Sequence, residues 1–172
     1  LDPGTYQVEF VAPTDYKFTL VNQGSDDAID SDADLATGRT GQVTLTVGEE
    51  RLDLDAGIFK PASVGDRVWL DSNGNGLQDA GETGVAGVTV LLYDADNTLK
   101  GSTSTTADGI YLFDDLLPGT YEIRFQLPSG YIFSPANSGD DAADSDADRI
   151  TGSTGTFTLA GGDHIRTMDA GI

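Results

Sequence analysis

The stretch "LPGTYEIRFQLPSGYIFS", residues 117–134, decides the fold because its apolar and polar residues alternate. In an extended strand, successive side chains point to opposite faces, so alternation collects the apolar residues on one face. The apolar face carries Tyr121, Ile123, Phe125 and Leu127. The opposite face carries Thr120, Glu122, Arg124 and Gln126. The pattern predicts a strand with one face in a core and the other toward solvent.

This stretch occurs twice in the chain, first as "DPGTYQVEFVAPTDYKFT" at residues 2–19. "DDAIDSDADLATGRTGQVTLTVG" is likewise repeated as "DDAADSDADRITGSTGTFTLAGG", and "LDLDAGI" is repeated as "RTMDAGI". Only the second copy has a segment before its "PGTY" strand that could complete a domain. We therefore predict the C-terminal half of a module at 1–58, a linker at 59–63 and a complete module at 64–172.

Short alternating runs separated by turn residues indicate strands throughout the complete module. They are predicted at 64–70, 87–93, 98–104, 110–113, 119–127, 131–134, 155–160 and 165–171. No stretch shows a sustained helical period. The sequence predicts an all-β fold, an antiparallel sandwich with an Ig-like or prealbumin-like Greek-key topology, in tandem modules of which the first is incomplete.

The 172-residue chain is strongly acidic, with 29 Asp plus Glu against 9 Lys plus Arg and a net charge of −20. This charge excludes nucleic acid as a partner, because phosphate binding needs the opposite sign. No apolar run is long enough to span a membrane. With 38% hydrophobic residues in alternating runs, the chain is expected to fold, and bound divalent cations would offset its self-repulsion. It begins with Leu1, so we expect it to be a piece of a longer protein.

The loop "DSNGNGLQDAGE", residues 71–82, has the spacing of a calcium-binding loop, with Gly76 at the sharp turn. The alternative is an ordinary Asn/Gly-rich turn, but a turn requires neither the later Asp nor the closing Glu. The loop lies between predicted strands, and the coordinating oxygens come from the loop itself. The predicted calcium ligands are Asp71, Asn73, Asn75, Leu77 through its carbonyl, Asp79 and Glu82.

Two further acidic stretches, "DDAIDSDAD" at 26–34 and "DDAADSDAD" at 140–148, place alternate carboxylates on one face of an extended chain. We predict calcium there too, and a solvated acidic loop is the alternative. The predicted ligands are Asp26, Asp27, Asp30, Asp32, Asp34, Asp140, Asp141, Asp144, Asp146 and Asp148. Because this template lacks a closing Glu, other residues must contribute. The sequence leaves Asp66, Asp94, Asp96 and Asp108 open as candidates.

"VGDRVWLDSNGNGLQDAGETGVAGVTVLLYDADN", 64–97, and "TTADGIYLFDDLLPGTYEIRF", 105–125, resemble the B-type repeats of serine-aspartate repeat surface proteins. This is the SdrD B-like family, within the broader Cna protein B-type group. The resemblance implies tandem calcium-binding β-sandwich modules that act as spacers in secreted or cell-wall-associated bacterial proteins. It assigns calcium binding to the 71–82 loop.

The acidic loops together with the family resemblance imply a calcium-stabilised structural spacer of an extracellular, adhesin-like bacterial protein, expected to hold several Ca²⁺ ions and to have no catalytic activity. A single histidine, His164, without a paired nucleophile is a poor catalyst. The expected partners are neighbouring modules and, for residues 1–58, a complementing fragment or second chain. The alternative is a calcium-dependent carbohydrate- or protein-binding module, which would need exposed aromatic residues among Tyr93, Tyr111, Tyr121 and Tyr131.

Overall fold

A computed structural model describes all residues from 1 to 172. The chain folds as two compact units, Leu1–Pro61 and Ala62–Ile172. Every regular element is a β-strand. No helix is present that could cross a membrane.

The first unit contains four short strands, β1 (Gly4–Tyr6), β2 (Lys17–Phe18), β3 (Val43–Leu45) and β4 (Ile58–Phe59). β1 pairs antiparallel with β3, and β2 pairs antiparallel with β4. Phe18 and Ala33 are the only apolar residues of this unit that are fully buried. This unit therefore has a very small core.

The second unit contains a four-stranded antiparallel sheet with the strand order β10-β9-β6-β7. Its strands are β6 (Thr89–Asp94), β7 (Leu99–Ser104), β9 (Gly119–Gln126) and β10 (Ser153–Leu159). β9 lies within the alternating stretch at 117–134. Tyr121, Ile123 and Phe125 on its apolar face are buried, as the alternation predicts. Leu127, predicted on the same face, lies beyond the end of β9 and is exposed.

The second layer of this unit is built around β5 (Ala62–Trp69). β8 (Ile110–Leu116) pairs with it antiparallel, whereas β11 (His164–Ile165) and β12 (Ala170–Gly171) pair with it in parallel. β11 lies beside Ser63 and Val64, and β12 lies beside Val68 and Trp69.

The core contains side chains from both sheets. The Tyr111 ring packs edge-on against Phe125, with ring centroids 5.5 Å apart. Trp69, the only tryptophan, is fully buried. The core residues include Val64, Val68, Val90, Leu92, Tyr111, Phe113, Tyr121, Ile123, Phe125, Phe133 and Leu159. The predicted all-β sandwich is confirmed.

Two details of the strand prediction are wrong. Residues 131–134 form no strand, although Phe133 and Ser134 are buried. The predicted strand at 165–171 is two short strands, and both pair in parallel with β5, so the sheets are not purely antiparallel. The residues between these two strands form no strand pairing. Met168 packs against the core instead, and the Met168 carbonyl accepts a hydrogen bond from the Tyr111 hydroxyl.

The first unit reproduces the local structure of the second. Gly4 pairs with Leu45, and Gly119 pairs with Leu159 at the repeat-related positions. The Phe10 amide donates to the Gly38 carbonyl at 2.9 Å, and the Phe125 amide donates to the Gly152 carbonyl at 2.9 Å. Repeated sequence has therefore produced repeated hydrogen bonding.

Candidate metal centre

The loop at 71–82 begins directly after β5 and wraps around the carboxylate of Asp71. The Asp71 Oδ1 atom accepts a hydrogen bond from the Gly74 amide at 2.8 Å, and Oδ2 accepts one from the Gly76 amide at 2.8 Å. Burial raises the pKa of Asp71, but a hydrogen bond from Ser134 and the loop amides outweigh it, so the pKa lies below its ordinary value. Asp71 is thereby held as an anion.

The remaining polar side chains of the loop converge. Asp79 Oδ2 accepts hydrogen bonds from Asn73 Nδ2 at 2.8 Å and from Asn75 Nδ2 at 3.0 Å. Glu82 closes the loop, because Oε1 accepts from the Ser72 amide at 2.8 Å and Oε2 accepts from the Asp79 amide at 3.0 Å. The side chains at loop positions 1, 3, 5, 9 and 12 are therefore already gathered, and their donor set is the all-oxygen type that calcium prefers.

Gly76 is required at the turn. Its φ is +79°, a left-handed conformation that side chains disfavour. A Cβ atom there would lie 2.1 Å from the Pro135 carbonyl oxygen. The loop can approach the 135–148 segment this closely only because residue 76 is glycine.

The second acidic segment docks on this loop. The Ser145 amide donates to the Gly76 carbonyl at 3.0 Å, and the Gln78 amide donates to the Ala143 carbonyl at 2.7 Å. Leu77 and Asp144 form an isolated antiparallel bridge. The two acidic stretches of this unit, more than sixty residues apart in sequence, therefore form one structure.

Asp144 and Asp169 are the most buried acidic residues in this structure, each only 2% exposed. The Asp144 Oδ2 atom accepts a hydrogen bond from the Gly139 amide at 2.6 Å. Its Oδ1 atom is buried and has no hydrogen-bond partner. A buried carboxylate oxygen without a partner is costly, and a bound cation would satisfy it. Asp144 therefore fits the role of a calcium ligand.

Asp146 and Asp169 form a reciprocal pair beside Asp144. The Asp169 amide donates to Asp146 Oδ2 at 2.6 Å, and the Asp146 amide donates to the Asp169 carbonyl at 3.0 Å. Burial, reinforced by nearby carboxylates, raises the pKa of Asp146 to about 7 and that of Asp169 to about 8. Burial also raises the pKa of Asp66, whose charge acts on both residues. Three carboxyl groups are therefore crowded at this point, where burial disfavours their ionised forms.

Asp66, one of the additional calcium ligands that the sequence left open, lies in this cluster. Asp94 instead accepts hydrogen bonds from the Asp96 and Thr98 amides in the β6–β7 turn. Sequence reasoning missed Asp169, although a signal existed, because the Asp of "DAGI" occurs in both copies, at Asp55 and Asp169.

The first unit has the same arrangement. Oxygen atoms of Asp27, Asp30 and Asp32 lie within 4.8 Å of one another. The Asp30 Oδ1 atom is buried without a partner, like that of Asp144, and burial followed by the charges of Asp27 and Asp32 raises the pKa of Asp30. The Asp55 amide donates to Asp32 Oδ2 at 2.7 Å, as Asp169 does to Asp146. A cation would relieve the same repulsion here.

The carboxylate of the last Asp in each acidic stretch accepts hydrogen bonds from the turn that follows it. Asp148 Oδ1 accepts hydrogen bonds from the Ile150 and Thr151 amides and from the Thr151 hydroxyl. Asp34 does the same with Ala36 and Thr37. These hydrogen bonds lower the pKa of both carboxyls.

The first Asp residues of the stretches also accept local hydrogen bonds. Asp26 accepts from the Ala28 amide, and Asp140 accepts from the Ala142 amide. Asp141 is exposed, and its charge contributes to the raised pKa of Asp146.

Replacing Asp148 with Asn is therefore expected to lower thermal stability slightly while leaving calcium stoichiometry unchanged, because the side chain holds a turn. Calorimetric titration of the variant beside the parent chain measures both effects. Asp144→Asn, which alters the buried carboxylate, is the matched comparison. Loss of a calcium ion in the Asp148 variant would instead make Asp148 a ligand.

The fold and the acidic loops together define a β-sandwich repeat module with preformed oxygen-lined loops. The SdrD B-like domain matches residues 1–58 and 62–172. The chain therefore belongs to the SdrD B-like domain family.

Named relatives agree with this family. The chain is 38% identical over 173 residues to serine-aspartate repeat-containing protein D of Staphylococcus aureus (strain Newman), covering 100% of this chain and 12% of that protein. It is 38% identical over 174 residues to serine-aspartate repeat-containing protein F of Staphylococcus epidermidis, covering 9% of that protein. The chain thus spans a small part of these relatives. Their names describe repeat proteins and no enzyme, which agrees with the prediction that the chain is not an enzyme.

Two solved structures are similar over nearly the whole chain. The Bacillus anthracis TIE protein matches with a TM-score of 0.46 and 16% identity, covering 98% of this chain and 25% of that one. The minor pilin GBS52 of Streptococcus agalactiae matches with a TM-score of 0.43 and 9% identity, covering 98% of this chain and 83% of that one.

Proposed function

We propose that the chain is a calcium-stabilised spacer of a bacterial surface protein. The observation that carries this proposal is the junction between the 71–82 loop and Asp144, where a gathered set of oxygen ligands meets a buried carboxylate oxygen without a partner. Calcium would supply the missing partner and reduce the net charge of −20. The ligands would be the loop residues in one site, with Asp144, Asp146, Asp66 and Asp169 available to a second.

Calcium bound at this junction would stiffen the module and would not make it a calcium sensor. The loop connects strands of a sandwich and is hydrogen-bonded to a second segment, so it has no helix pair to open. A ligand that binds only the folded state stabilises it by about 2.7 kcal/mol at one hundred times its dissociation constant. The free energy of calcium binding would stabilise the arrangement in which β5, the loop and the 140–148 segment are in contact.

An extracellular setting follows from the same reasoning, because free calcium there is high enough for sites of moderate affinity. The staphylococcal relatives named above are repeat-containing proteins, so neighbouring modules of the same kind are the proposed partners. The chain would then extend such a protein away from the cell surface.

The alternative of a carbohydrate- or protein-binding module is not favoured by the aromatic residues. Tyr111 and Tyr121 are buried in the core, and the Tyr93 ring is covered by Arg124 at 4.3 Å. Tyr131 is exposed, and its ring makes no ring-to-ring contact with the other aromatic side chains. No exposed aromatic cluster forms beside the acidic loops.

Calcium titration of the metal-free chain, followed by calorimetry and elemental analysis, tests the proposal. We expect more than one bound ion, loss of one ion in Glu82→Gln, and loss of a different ion in Asp144→Asn. Asp114→Asn, an exposed substitution in β8 at the far end of β5 from the loop, is the charge-matched control and should bind like the parent. Absence of binding heat, or a melting curve unchanged by excess chelator, would reject calcium stabilisation.

A further inference from the structure

The 71–82 loop contains both Asn–Gly pairs of the chain, Asn73–Gly74 and Asn75–Gly76. Asparagine before glycine is prone to spontaneous deamidation, because glycine has no side chain to hinder its backbone nitrogen from attacking the carboxamide. The other asparagines of the chain precede larger residues, and they are Asn22, Asn97 and Asn137. The most labile asparagines are therefore two of the predicted calcium ligands.

The side chains of these two asparagines make the same hydrogen bonds. Each donates through Nδ2 to Asp79 Oδ2, at 2.8 Å from Asn73 and 3.0 Å from Asn75. Each accepts through Oδ1 from the amide two residues later, at 3.0 Å and 2.8 Å. The amides of both following glycines donate to Asp71 at 2.8 Å. The carboxamides and the attacking nitrogens are thus held alike, so these contacts do not distinguish the two pairs.

The two glycines differ in their surroundings. Gly74 is exposed, and a Cβ atom at this position would meet no heavy atom within 4 Å. Gly76 is buried against the Pro135 carbonyl, and its own carbonyl accepts the Ser145 amide at 3.0 Å. The first pair can therefore rearrange by opening hydrogen bonds at the surface, whereas the second is fixed until the 135–148 segment separates from the loop.

We propose that Asn73 is a site of spontaneous deamidation and that the docking of Gly76 protects Asn75 from the same reaction. The Gly74 nitrogen forms a bond to Cγ of Asn73 while its proton passes to water, and Nδ2 leaves as ammonia. Water then opens the resulting succinimide ring at either carbonyl, giving aspartate or isoaspartate. The net reaction consumes water, releases ammonia and leaves a carboxylate in place of the carboxamide, without an enzyme.

The two products differ in their effect on calcium, a consequence that rests on the proposed function. Aspartate keeps an oxygen ligand at this position of the loop. Isoaspartate, ordinarily the major product, lengthens the main chain by a carbon atom before Gly74 and would displace the Gly74 amide from Asp71. A loop that has lost calcium would therefore lose, with time, the geometry needed to bind it again.

The test incubates the folded full chain in chelator at mildly alkaline pH. Peptide mapping by mass spectrometry locates each conversion, and enzymatic methylation measures isoaspartate. We expect Asn73 to convert at least about tenfold faster than Asn75, because Gly76 must undock before the second ring can close. A synthetic peptide of residues 71–82 is the matched reference, in which both asparagines should convert at similar rates because neither glycine is docked. Two results would overturn the proposal: equal rates in the folded chain, or conversion of Asn73 in the peptide alone.

Calorimetric titration of the aged chain with calcium tests the consequence separately. We expect loss of one bound ion in proportion to the isoaspartate content, whereas Asn73→Asp, which lacks the extra backbone atom, should retain that ion. Retention of the ion in chains that carry isoaspartate would overturn the consequence for calcium. Absence of calcium binding in the fresh chain would reject the proposed function, and faster conversion of Asn73 than of Asn75 would still support the modification site.

Discussion

Phe125→Ala is expected to lower the melting temperature of the second unit by roughly 12–20 °C. The ring is buried and packs edge-on against Tyr111, so its removal leaves a cavity between the two sheets. Such substitutions cost about 3–5 kcal/mol. A domain of this size loses about 4 °C per kcal/mol. Trp69 fluorescence reports the transition, because this sole tryptophan lies in the same unit.

Phe10→Ala removes the same side chain at the repeat-related position and is the matched control. Because Phe10 is only half-buried, its loss should cost less than half as much and leave the Trp69 transition unchanged. Calorimetry resolves the two units. Equal losses for the two variants would contradict the small core of the first unit, in which Phe18 and Ala33 are the only buried apolar residues.

The second large effect is an opposite pH dependence of stability with and without calcium. In chelator, the raised pKa values of Asp146, about 7, and Asp169, about 8, mean that the folded unit binds more protons than the unfolded chain. Their contribution to stability is present below about pH 4, the unfolded value, and is lost as pH rises through 7 to 8. The melting temperature in chelator should therefore fall steadily from pH 5 to pH 8.

Calcium reverses this trend, because the cation binds the ionised carboxylates and lowers their pKa values. The melting temperature in calcium should rise over the same range, so the difference between the two curves is largest near pH 8. At one hundred times the dissociation constant, the difference reaches about 2.7 kcal/mol for one site, or about 10 °C. Parallel melting curves at every pH would contradict this expectation. Asp114→Asn, whose carboxyl is exposed and outside the cluster, should not alter either curve.

The strongest sequence signals concern local patterns. The alternation in residues 119–126 predicted a strand and its buried face, and both are confirmed by Ile123 and Phe125. The spacing of 71–82 predicted which side chains gather, and the structure brings Asn73, Asn75 and Asp79 together. Calcium itself stays a prediction.

The pairing of strands that are distant in the sequence could not be predicted. Alternation does not encode the direction of a partner strand, so the parallel pairing of β11 and β12 with β5 was missed. The docking of Ser145 on Gly76 was likewise invisible, because backbone groups make that contact. Asp148 looked equivalent to Asp144, yet one holds a turn and the other is buried, a difference set by tertiary context.

The parallel pairing also has a mechanical consequence. β5 is the first strand of the second unit and β12 is its last, and the Ile172 amide donates a hydrogen bond to the Trp69 carbonyl at 3.0 Å. Tension on the two ends would pull these parallel neighbours in opposite directions along their length. Their hydrogen bonds would be loaded together in shear, not opened one after another. We therefore expect the unit to resist extension along the line of the polypeptide.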